Sequence, residues 1–183
     1  MAKFKMQPTV ETECITARLG AGSGSANYVT DLEIGKAVVF AGESRYNLAA
    51  ATNKIEGFIR AVESYTADDF SIGSVQTEGR VKVTFDGLEA TPGTGVVALG
   101  DYVVTGTVVA KGASLGSAYP KVCAATNQPG ATVTTADNVK ANIDIAIAKV
   151  VDSTKVALFG WRVVSLDGTT AVGQTATIER VNA

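Results

Sequence analysis

Valine, threonine and glycine constrain the fold of this chain more than any other feature of its sequence. The 183 residues include 24 Val, 21 Thr and 19 Gly. Val and Thr branch at Cβ and favour the pleated surface of a β-sheet, while Gly supplies the turns between strands. The glycines are spread along the chain, and no Pro/Ser-rich hinge or charge block divides it. The sequence therefore predicts an all-β fold, a single barrel-like or sandwich domain.

Alternating apolar and polar residues mark the clearest strand, at residues 80–85. A period of two places one face of a strand in the core and the other in water. Residues 74–77 precede this strand across a Glu-Gly turn at 78–79, and an Asp-Gly dipeptide follows it at 86–87. We expect a β-hairpin in this region.

Three further segments read as strands. Residues 102–110 are rich in Val and Thr and carry Gly106 at their centre, which excludes a stable helix and indicates a bulge or close packing. Residues 156–164 and 174–181 lie on either side of the turn dipeptide at 167–168. This pattern predicts a closing hairpin.

Two segments fit a helix and a strand about equally well. In residues 46–65, Gly57 would weaken a helix by about 1 kcal/mol and Asn53 is a natural turn residue, so we expect strand, turn, strand. In residues 137–151, isoleucines at every second position favour a strand over a helix.

The composition excludes several kinds of chemistry. The chain has no His, so it has no imidazole base and no His-containing metal motif. Cys14 and Cys123 stand too far apart in sequence for a disulfide framework or a zinc site, and we expect both to be buried as small hydrophobic residues. We therefore predict no enzymatic activity, no catalytic site, no metal and no cofactor.

Charge and hydropathy limit the binding partners and the cellular compartment that we expect for this chain. The net charge of −2 and a pI near 5.2 give no reason to expect nucleic-acid binding. No run of 18 apolar residues and no signal peptide are present, so we expect no membrane partner and synthesis in a reducing cytoplasm.

Three weaker motifs have ordinary structural explanations. Residues 20–25 are Gly/Ser-rich but match no phosphate-binding loop, which indicates a flexible connector. The acidic pairs at 68–69 and 11/13 are best explained as solvated faces. Trp161, the single Trp, is more typical of a core or subunit-contact anchor than of a ligand platform.

These features divide the chain into three parts. Residues 1–19 form an extended N-terminal arm, residues 20–35 a Gly/Ser-rich connector, and residues 36–183 the β-domain. A long loop or insertion is expected near residues 111–142.

The order of the strand motifs resembles the small capsid decoration, or cement, proteins of tailed bacteriophages. The segments that carry the resemblance are residues 38–42, 46–49, 55–59, 73–75 with 79–81, 99–104, 161–163 and 176–179. The match covers about residues 36–181, and it leaves out the N-terminal arm and the stretch 111–142. The resemblance implies a small β-barrel.

The resemblance also implies a function without chemistry. Such proteins sit on the outer surface of the virion capsid as homo-oligomers and clamp neighbouring copies of the major capsid protein. For this chain we therefore expect capsid stabilisation as a structural protein of a bacteriophage, with a trimer as the oligomer. Buried apolar area and pairing at strand edges would supply the binding energy, and repetition over the lattice would multiply it.

The N-terminal arm supplies the candidate contact residues. Its apolar and basic side chains precede an alternating stretch that is typical of an added strand. We predict subunit or capsid contacts through Lys3, Phe4, Lys5, Met6 and Val10, together with Trp161. For residues 10–16, pairing within their own barrel is the alternative.

Two other functions stay open from the sequence. A phage tail-tube or baseplate β-protein would also be rich in Val, Thr and Gly. A carbohydrate-binding β-module would need exposed aromatic side chains on one sheet face, for which Trp161, Tyr102 and Tyr119 are the available residues.

Overall fold

The computed structural model describes residues 13–20, 28–63, 71–125 and 160–181. These residues contain eleven β-strands and one short 3₁₀ helix. The prediction of an all-β fold is confirmed. The strands form two closed sheets, which we call barrel 1 and barrel 2.

Barrel 1 is built from the first five strands that the structure describes. These are β1 (Cys14–Leu19), β2 (Ala37–Phe40), β3 (Arg45–Leu48), β4 (Gly57–Glu63) and β5 (Ser71–Gln76). Their order around the barrel is β1, β3, β2, β4, β5 and back to β1. β1 and β3 run parallel, and every other pair is antiparallel. The 3₁₀ helix (Asp31–Glu33) precedes β2.

Barrel 2 is built from the later strands. These are β6 (Arg80–Leu88), β7 (Thr91–Pro92), β8 (Tyr102–Thr105), β9 (Lys121–Ala124), β10 (Trp161–Leu166) and β11 (Thr175–Arg180). The order is β6, β9, β8, β10, β11, and a β11–β6 pairing closes the ring, with β7 attached outside it to the end of β6. Here β6 and β9 run parallel, and the other pairs of the ring are antiparallel.

The two barrels are copies of one fold, with the same strand order and the same single parallel pair. They also share a residue register. Leu19 lies opposite Tyr46 in the parallel pair of barrel 1, and Phe85 lies opposite Val122 in barrel 2. The antiparallel pairs keep matching offsets around both rings. The chain is therefore an internal duplication at the level of structure.

Even the irregularities of the two barrels coincide. The β4–β5 ladder shifts register just after Ile59, and the β10–β11 ladder shifts just after Val163. Gly35 N–H donates to Ile59 O at 2.8 Å, and Gly100 N–H donates to Val163 O at 2.8 Å. A β-bulge is a specific local feature, so its repetition at equivalent residues supports the duplication independently of strand order.

A single hydrophobic core joins the two barrels. It combines Ile55 and Phe58 of barrel 1 with Phe85, Trp161 and Ile178 of barrel 2, all buried. A smaller cluster fills the interior of barrel 1 alone. Because the larger cluster has contributions from both barrels, the two barrels share one core.

The boundaries of the arm and the connector differ from the prediction within the described residues. Cys14–Leu19 is a barrel strand, paired along its whole length with β5, so this part of the predicted arm follows the alternative of pairing within its own barrel. In the predicted connector, Val29 and Glu33 are buried. Residues 21–27 and the arm before residue 13 lie outside the described residues.

The hairpin predicted around residues 78–79 is wrong. β5 pairs with β1 and β4 in barrel 1, whereas β6 pairs with β9 and β11 in barrel 2. The Asp-Gly dipeptide at 86–87 is also not a turn, because β6 continues through it to Leu88 with a shift in its pairing to β9.

Other strand predictions agree with the structure. The closing hairpin is present as β10 and β11, and residues 46–63 form strand, turn, strand as expected. Residues 64–65 and 156–159 of the predicted strands lie outside the described residues. The predicted strand at 102–110 ends at Thr105. The predicted insertion begins earlier than expected, since residues 106–120 form a loop, and β9 follows it. Residues 126–142 and the segment 137–151 lie outside the described residues.

Candidate functional site

The loop 106–120, which we call the strap, is the largest described difference between the two barrels. It joins β8 to β9, and the equivalent connection between β2 and β3 is the short turn 41–44. The strap belongs to barrel 2 but packs against barrel 1. Two buried carboxylates bind it, Glu33 of barrel 1 and Asp86 of barrel 2.

Glu33 holds the middle of the strap. Gly112 N–H donates to Glu33 Oε1 at 2.7 Å, and the backbone N–H and hydroxyl of Thr30 donate to Glu33 Oε2 at 2.8 and 2.7 Å. Burial alone would raise the pKa of Glu33, but these hydrogen bonds and the nearby Lys36 ammonium outweigh it and leave the pKa below its ordinary value. Glu33 is therefore a charged anchor at neutral pH.

Asp86 holds the first residues of the strap. Thr107 N–H donates to Asp86 Oδ2 at 2.7 Å, and Lys121 Nζ lies 3.2 Å from Asp86 Oδ1. Burial acts to raise the pKa of Asp86, and the bonds from Thr107 and Lys121 reverse that effect, so the pKa is lowered. The strap is thus fixed by charge-assisted hydrogen bonds at two places.

A cavity of about 220 Å³ lies between the strap and barrel 1. Apolar side chains from both sides line it, and they are Ala37, Leu48, Ala49, Val108, Val109, Ala110, Leu115 and Pro120. The polar lining comes from two threonines and three lysines, namely Thr105, Thr107, Lys36, Lys111 and Lys121. This combination of an apolar wall with a few placed polar groups is typical of a small-molecule pocket.

Lys36 is the most unusual residue of the cavity wall. It is only 7% exposed, its Nζ donates to Ala110 O at 2.9 Å, and Glu33 Oε1 lies 3.6 Å away. The ammonium group thus bridges the 3₁₀ helix region of barrel 1 and the strap of barrel 2. A buried Lys without such partners would be strongly unfavourable.

A second feature of the surface is an exposed aliphatic residue repeated in the two barrels. Ile34 and Leu99 each precede a glycine with positive φ, Gly35 at +89° and Gly100 at +91°. Ile34 has φ −57° and ψ 133°, which with Gly35 gives a type II turn. The turn bonds match as well, since Lys36 N–H donates to Glu33 O and, at the equivalent place, Asp101 N–H donates to Ala98 O.

The side chains of both turns point into solvent. Ile34 is 41% exposed and Leu99 is 64% exposed. Each turn has a second exposed aliphatic neighbour, Leu32 in barrel 1 and Val96 in barrel 2. We call residues 32–35 and 96–100 the apolar turns. They are the clearest apolar contact points that the duplication repeats.

The contact residues predicted from sequence fall into two groups. Lys3, Phe4, Lys5, Met6 and Val10 lie outside the described residues, and their role stays a prediction. Trp161 lies in the core shared by the barrels and is fully buried, so the core role applies and a surface contact through Trp161 does not. Its large ring fills space in the core between the two barrels.

Sequence reasoning missed Glu33 and the apolar turn 32–35 because residues 20–35 read as a connector, and it gave Lys36 and the apolar turn 96–100 no role. Two signals were present. Thr30 and Glu33 have the Ser/Thr-x-x-Glu spacing of a capping box, which the structure contains. Residues 34–39 and 99–104 read Ile-Gly-Lys-Ala-Val-Val and Leu-Gly-Asp-Tyr-Val-Val, which is a trace of the duplication.

Comparisons with protein-family models, curated proteins and solved structures found no match for this chain. Within the described residues, no group of three or more His, Cys, Asp and Glu side chains is placed to hold a metal ion. The same residues include no helix that is long and apolar enough to cross a membrane.

Proposed function

We propose that this chain is a structural virion protein that binds the outside of a bacteriophage capsid and bridges major capsid subunits to stabilise the shell. It acts there as a homo-oligomer, with a trimer as the expected form, after synthesis in the host cytoplasm. The resemblance of its strand motifs to capsid decoration proteins motivates the proposal, and the duplicated barrel supports it.

The single observation that carries the proposal is the repetition of the apolar turn. A capsid lattice offers the same surface many times, and a bridging protein needs at least two contact points held at a fixed separation. Ile34 and Leu99 are equivalent residues of one rigid body, because both barrels share a core. Rigid presentation of two contacts avoids the entropic cost of ordering them on binding.

The energetics of such contacts are favourable. Burial of an exposed aliphatic side chain contributes about 1.5–3 kcal/mol at full burial. The exposed aliphatic residues of each apolar turn lie beside a buried residue, which is Glu33 in barrel 1 and Val97 in barrel 2. This buried residue fixes the turn to its barrel. Many copies of a weak contact then add up over the shell.

The carbohydrate-binding alternative loses its main support. Trp161, the strongest aromatic platform in the sequence, is buried, and Tyr102 is only partly exposed. Tyr119 remains exposed on the strap. Among these three aromatic residues, Tyr119 is the one with an exposed ring, which offers little surface for stacking on a sugar.

The test is a binding assay with bare capsids of the phage that encodes this chain. The variants are Ile34→Asp, Leu99→Asp and the double substitution, with Val108→Asp as a matched control at an exposed aliphatic residue of the strap. Each turn variant should bind about tenfold more weakly or worse, and the double variant should not bind, because an aspartate cannot be buried in an apolar contact.

Wild-type affinity in the double variant would overturn the role of the turns. Failure of the wild-type chain to bind any capsid, together with rings or tubes in negative stain, would replace the proposal with the tail-tube alternative. Deletion of residues 2–7 tests the N-terminal contact residues in the same assay. Analytical ultracentrifugation measures the oligomer.

A further inference from the structure

We propose that the cavity between the strap and barrel 1 binds a small uncharged molecule with one acceptor oxygen, such as a ketone, on a short apolar body. The proposal rests on the cavity and does not depend on the capsid role. Three observations support it. The ammonium and carboxylate groups at the wall form pairs, a buried ammonium group has donors to spare, and the rest of the wall is apolar.

The charged groups at the cavity pair with each other. Lys36 Nζ lies 3.6 Å from Glu33 Oε1. Lys121 Nζ lies 3.2 Å from Asp86 Oδ1. Hydrogen bonds from the strap hold both carboxylates ionised, so each of the two pairs is neutral overall. Lys111 has an interaction of its own and is exposed, so water screens its charge.

This pairing disfavours an ionic ligand of either sign. A buried charge is costly unless an opposite charge compensates it. A ligand carboxylate beside Lys36 would share one ammonium group with Glu33, and a ligand ammonium would compete with Lys36 for the same carboxylate. An uncharged molecule avoids both costs.

Lys36 supplies donors for an acceptor oxygen. An ammonium group carries three N–H donors, and Lys36 Nζ has one hydrogen-bond acceptor among the described residues, Ala110 O at 2.9 Å. Glu33 Oε1 at 3.6 Å is beyond hydrogen-bond distance. Thr105, another buried polar residue of the wall, already donates its hydroxyl to Asn53 O. Since Lys36 is buried and lines the cavity, an oxygen of the occupant is the acceptor that its other donors need.

The rest of the wall fits a short apolar body. Leu48 and Ala49 of barrel 1 form one side of the cavity, and Val109 and Leu115 of the strap form the other. A volume of about 220 Å³ has room for about seven water molecules at roughly 30 Å³ each, which suits a ligand of about six carbons and one oxygen. Transfer of such a body from water to an apolar wall is favourable.

The probe is 2-hexanone, with hexanoate and hexylammonium as anionic and cationic probes of the same chain length. Each is titrated into the ¹⁵N-labelled full chain, and amide resonances are followed by NMR. The N–H groups of Thr107 and Gly112 report on the strap, because they bond to the two carboxylates. We expect 2-hexanone to shift the strap resonances with one site per chain. The charged probes should bind about tenfold more weakly or worse, because burial of their charge is not compensated.

Two results would overturn the proposal. Binding of either charged probe as tightly as 2-hexanone would show that the wall does not select an uncharged molecule. No shift of the strap resonances up to the solubility of 2-hexanone would show that the cavity holds water only.

One pair of variants locates the site. Val109→Trp fills the cavity from the strap, where Val109 is partly exposed, and should abolish 2-hexanone binding. Val96→Trp, on an apolar turn and outside the cavity wall, is the matched control and should bind normally. Unchanged binding by the Val109→Trp variant would exclude this cavity.

A double variant tests the donor. Glu33→Gln with Lys36→Met removes both charges together, so neither is left buried alone. Its affinity for 2-hexanone, relative to 1-chloropentane as a chain without oxygen, should fall about tenfold because the bond to the ammonium group is lost. An unchanged ratio would exclude Lys36 as the donor and with it the proposed class of ligand. The Val109→Trp test holds even if the double variant does not fold.

Discussion

The ring of Phe58 meets the indole of Trp161 edge to face across the junction of the two barrels, with ring centroids 5.2 Å apart and an interplanar angle of 84°. Phe58 belongs to β4 of barrel 1 and Trp161 to β10 of barrel 2, and both are fully buried. Arg180 closes the same junction, since its guanidinium lies 6.0 Å from the Trp161 ring centroid and donates to Ile55 O at 3.2 Å. We therefore expect the two barrels to unfold as one unit.

Phe58→Ala should destabilise the whole chain. Loss of a buried Phe ring costs about 3–5 kcal/mol, because it removes apolar burial and leaves a cavity. Phe40→Ala is the matched control and should cost about 1 kcal/mol or less, since Phe40 is mostly exposed. Urea unfolding followed by the fluorescence of Trp161 measures both, and we expect a single transition. Two separate transitions in the wild type would contradict the shared core.

Gly35→Ala should lower the free energy of unfolding more than Gly100→Ala does. Both glycines have positive φ, where an alanine is strained by about 1–2 kcal/mol. At Gly35 an added Cβ would also lie 3.0 Å from Leu115 Cδ1 of the strap, whereas at Gly100 it would meet open space. Chemical denaturation of the two variants measures the difference. An equal loss of stability in the two variants would mean that the Leu115 side chain moves aside without a measurable free-energy change.

Acid should weaken the attachment of the strap. Glu33 and Asp86 have pKa values below their ordinary values of 4.5 and 3.8. A lowered pKa in the folded state stabilises the fold above the ordinary value, and this stabilisation is lost as the pH falls through the folded pKa. The free energy of unfolding should therefore be flat near neutral pH and decrease below about pH 5.

Asp86→Asn separates this effect from general acid sensitivity. The amide oxygen keeps an acceptor for Thr107 N–H but removes the titrating group. The variant should be less stable at neutral pH and should show a smaller loss between neutral and acidic pH than the wild type. Denaturant midpoints measured across this pH range give the comparison, and parallel curves would count against Asp86.

The two cysteines should differ in reactivity. Burial raises the pKa of the Cys123 thiol to about 11, and Asp86 and Glu89 add to the increase. Cys14, expected from sequence to be buried, begins β1 on the outward face and is exposed. A chromogenic aromatic disulfide should therefore modify one thiol per chain in the native state and both in denaturant. Cys14→Ser should abolish the native reaction, and Cys123→Ser should leave it intact.

Strand identity was largely predictable because it depends on local pattern. Alternation at residues 80–85 gave β6, and the polar turn at 167–168 between two alternating segments gave the β10–β11 hairpin. Both signals involve neighbours in sequence, so no knowledge of distant contacts was needed. The absence of His from the sequence likewise limited the chemistry without any structure.

Strand partnership was not predictable in the same way. Residues 74–85 have every local sign of a hairpin, yet Val75 packs inside barrel 1 and Val83 packs in the shared core. Two consecutive strands can belong to different sheets when each finds a better surface to cover elsewhere. The closure of each ring decides this, and ring closure depends on residues far apart in the chain.

By itself the sequence determined an all-β chain that has no imidazole side chain. Only the tertiary structure decided that the strands form two equivalent barrels, that Trp161 lies between them, and that Glu33 and Lys36 are buried. Glu33 meets its partner Gly112 across 79 residues, and Lys36 meets Ala110 across 74. A charged residue next to a Gly/Ser-rich stretch looks solvated until a distant loop covers it, because burial is a property of the folded surface and not of the local segment.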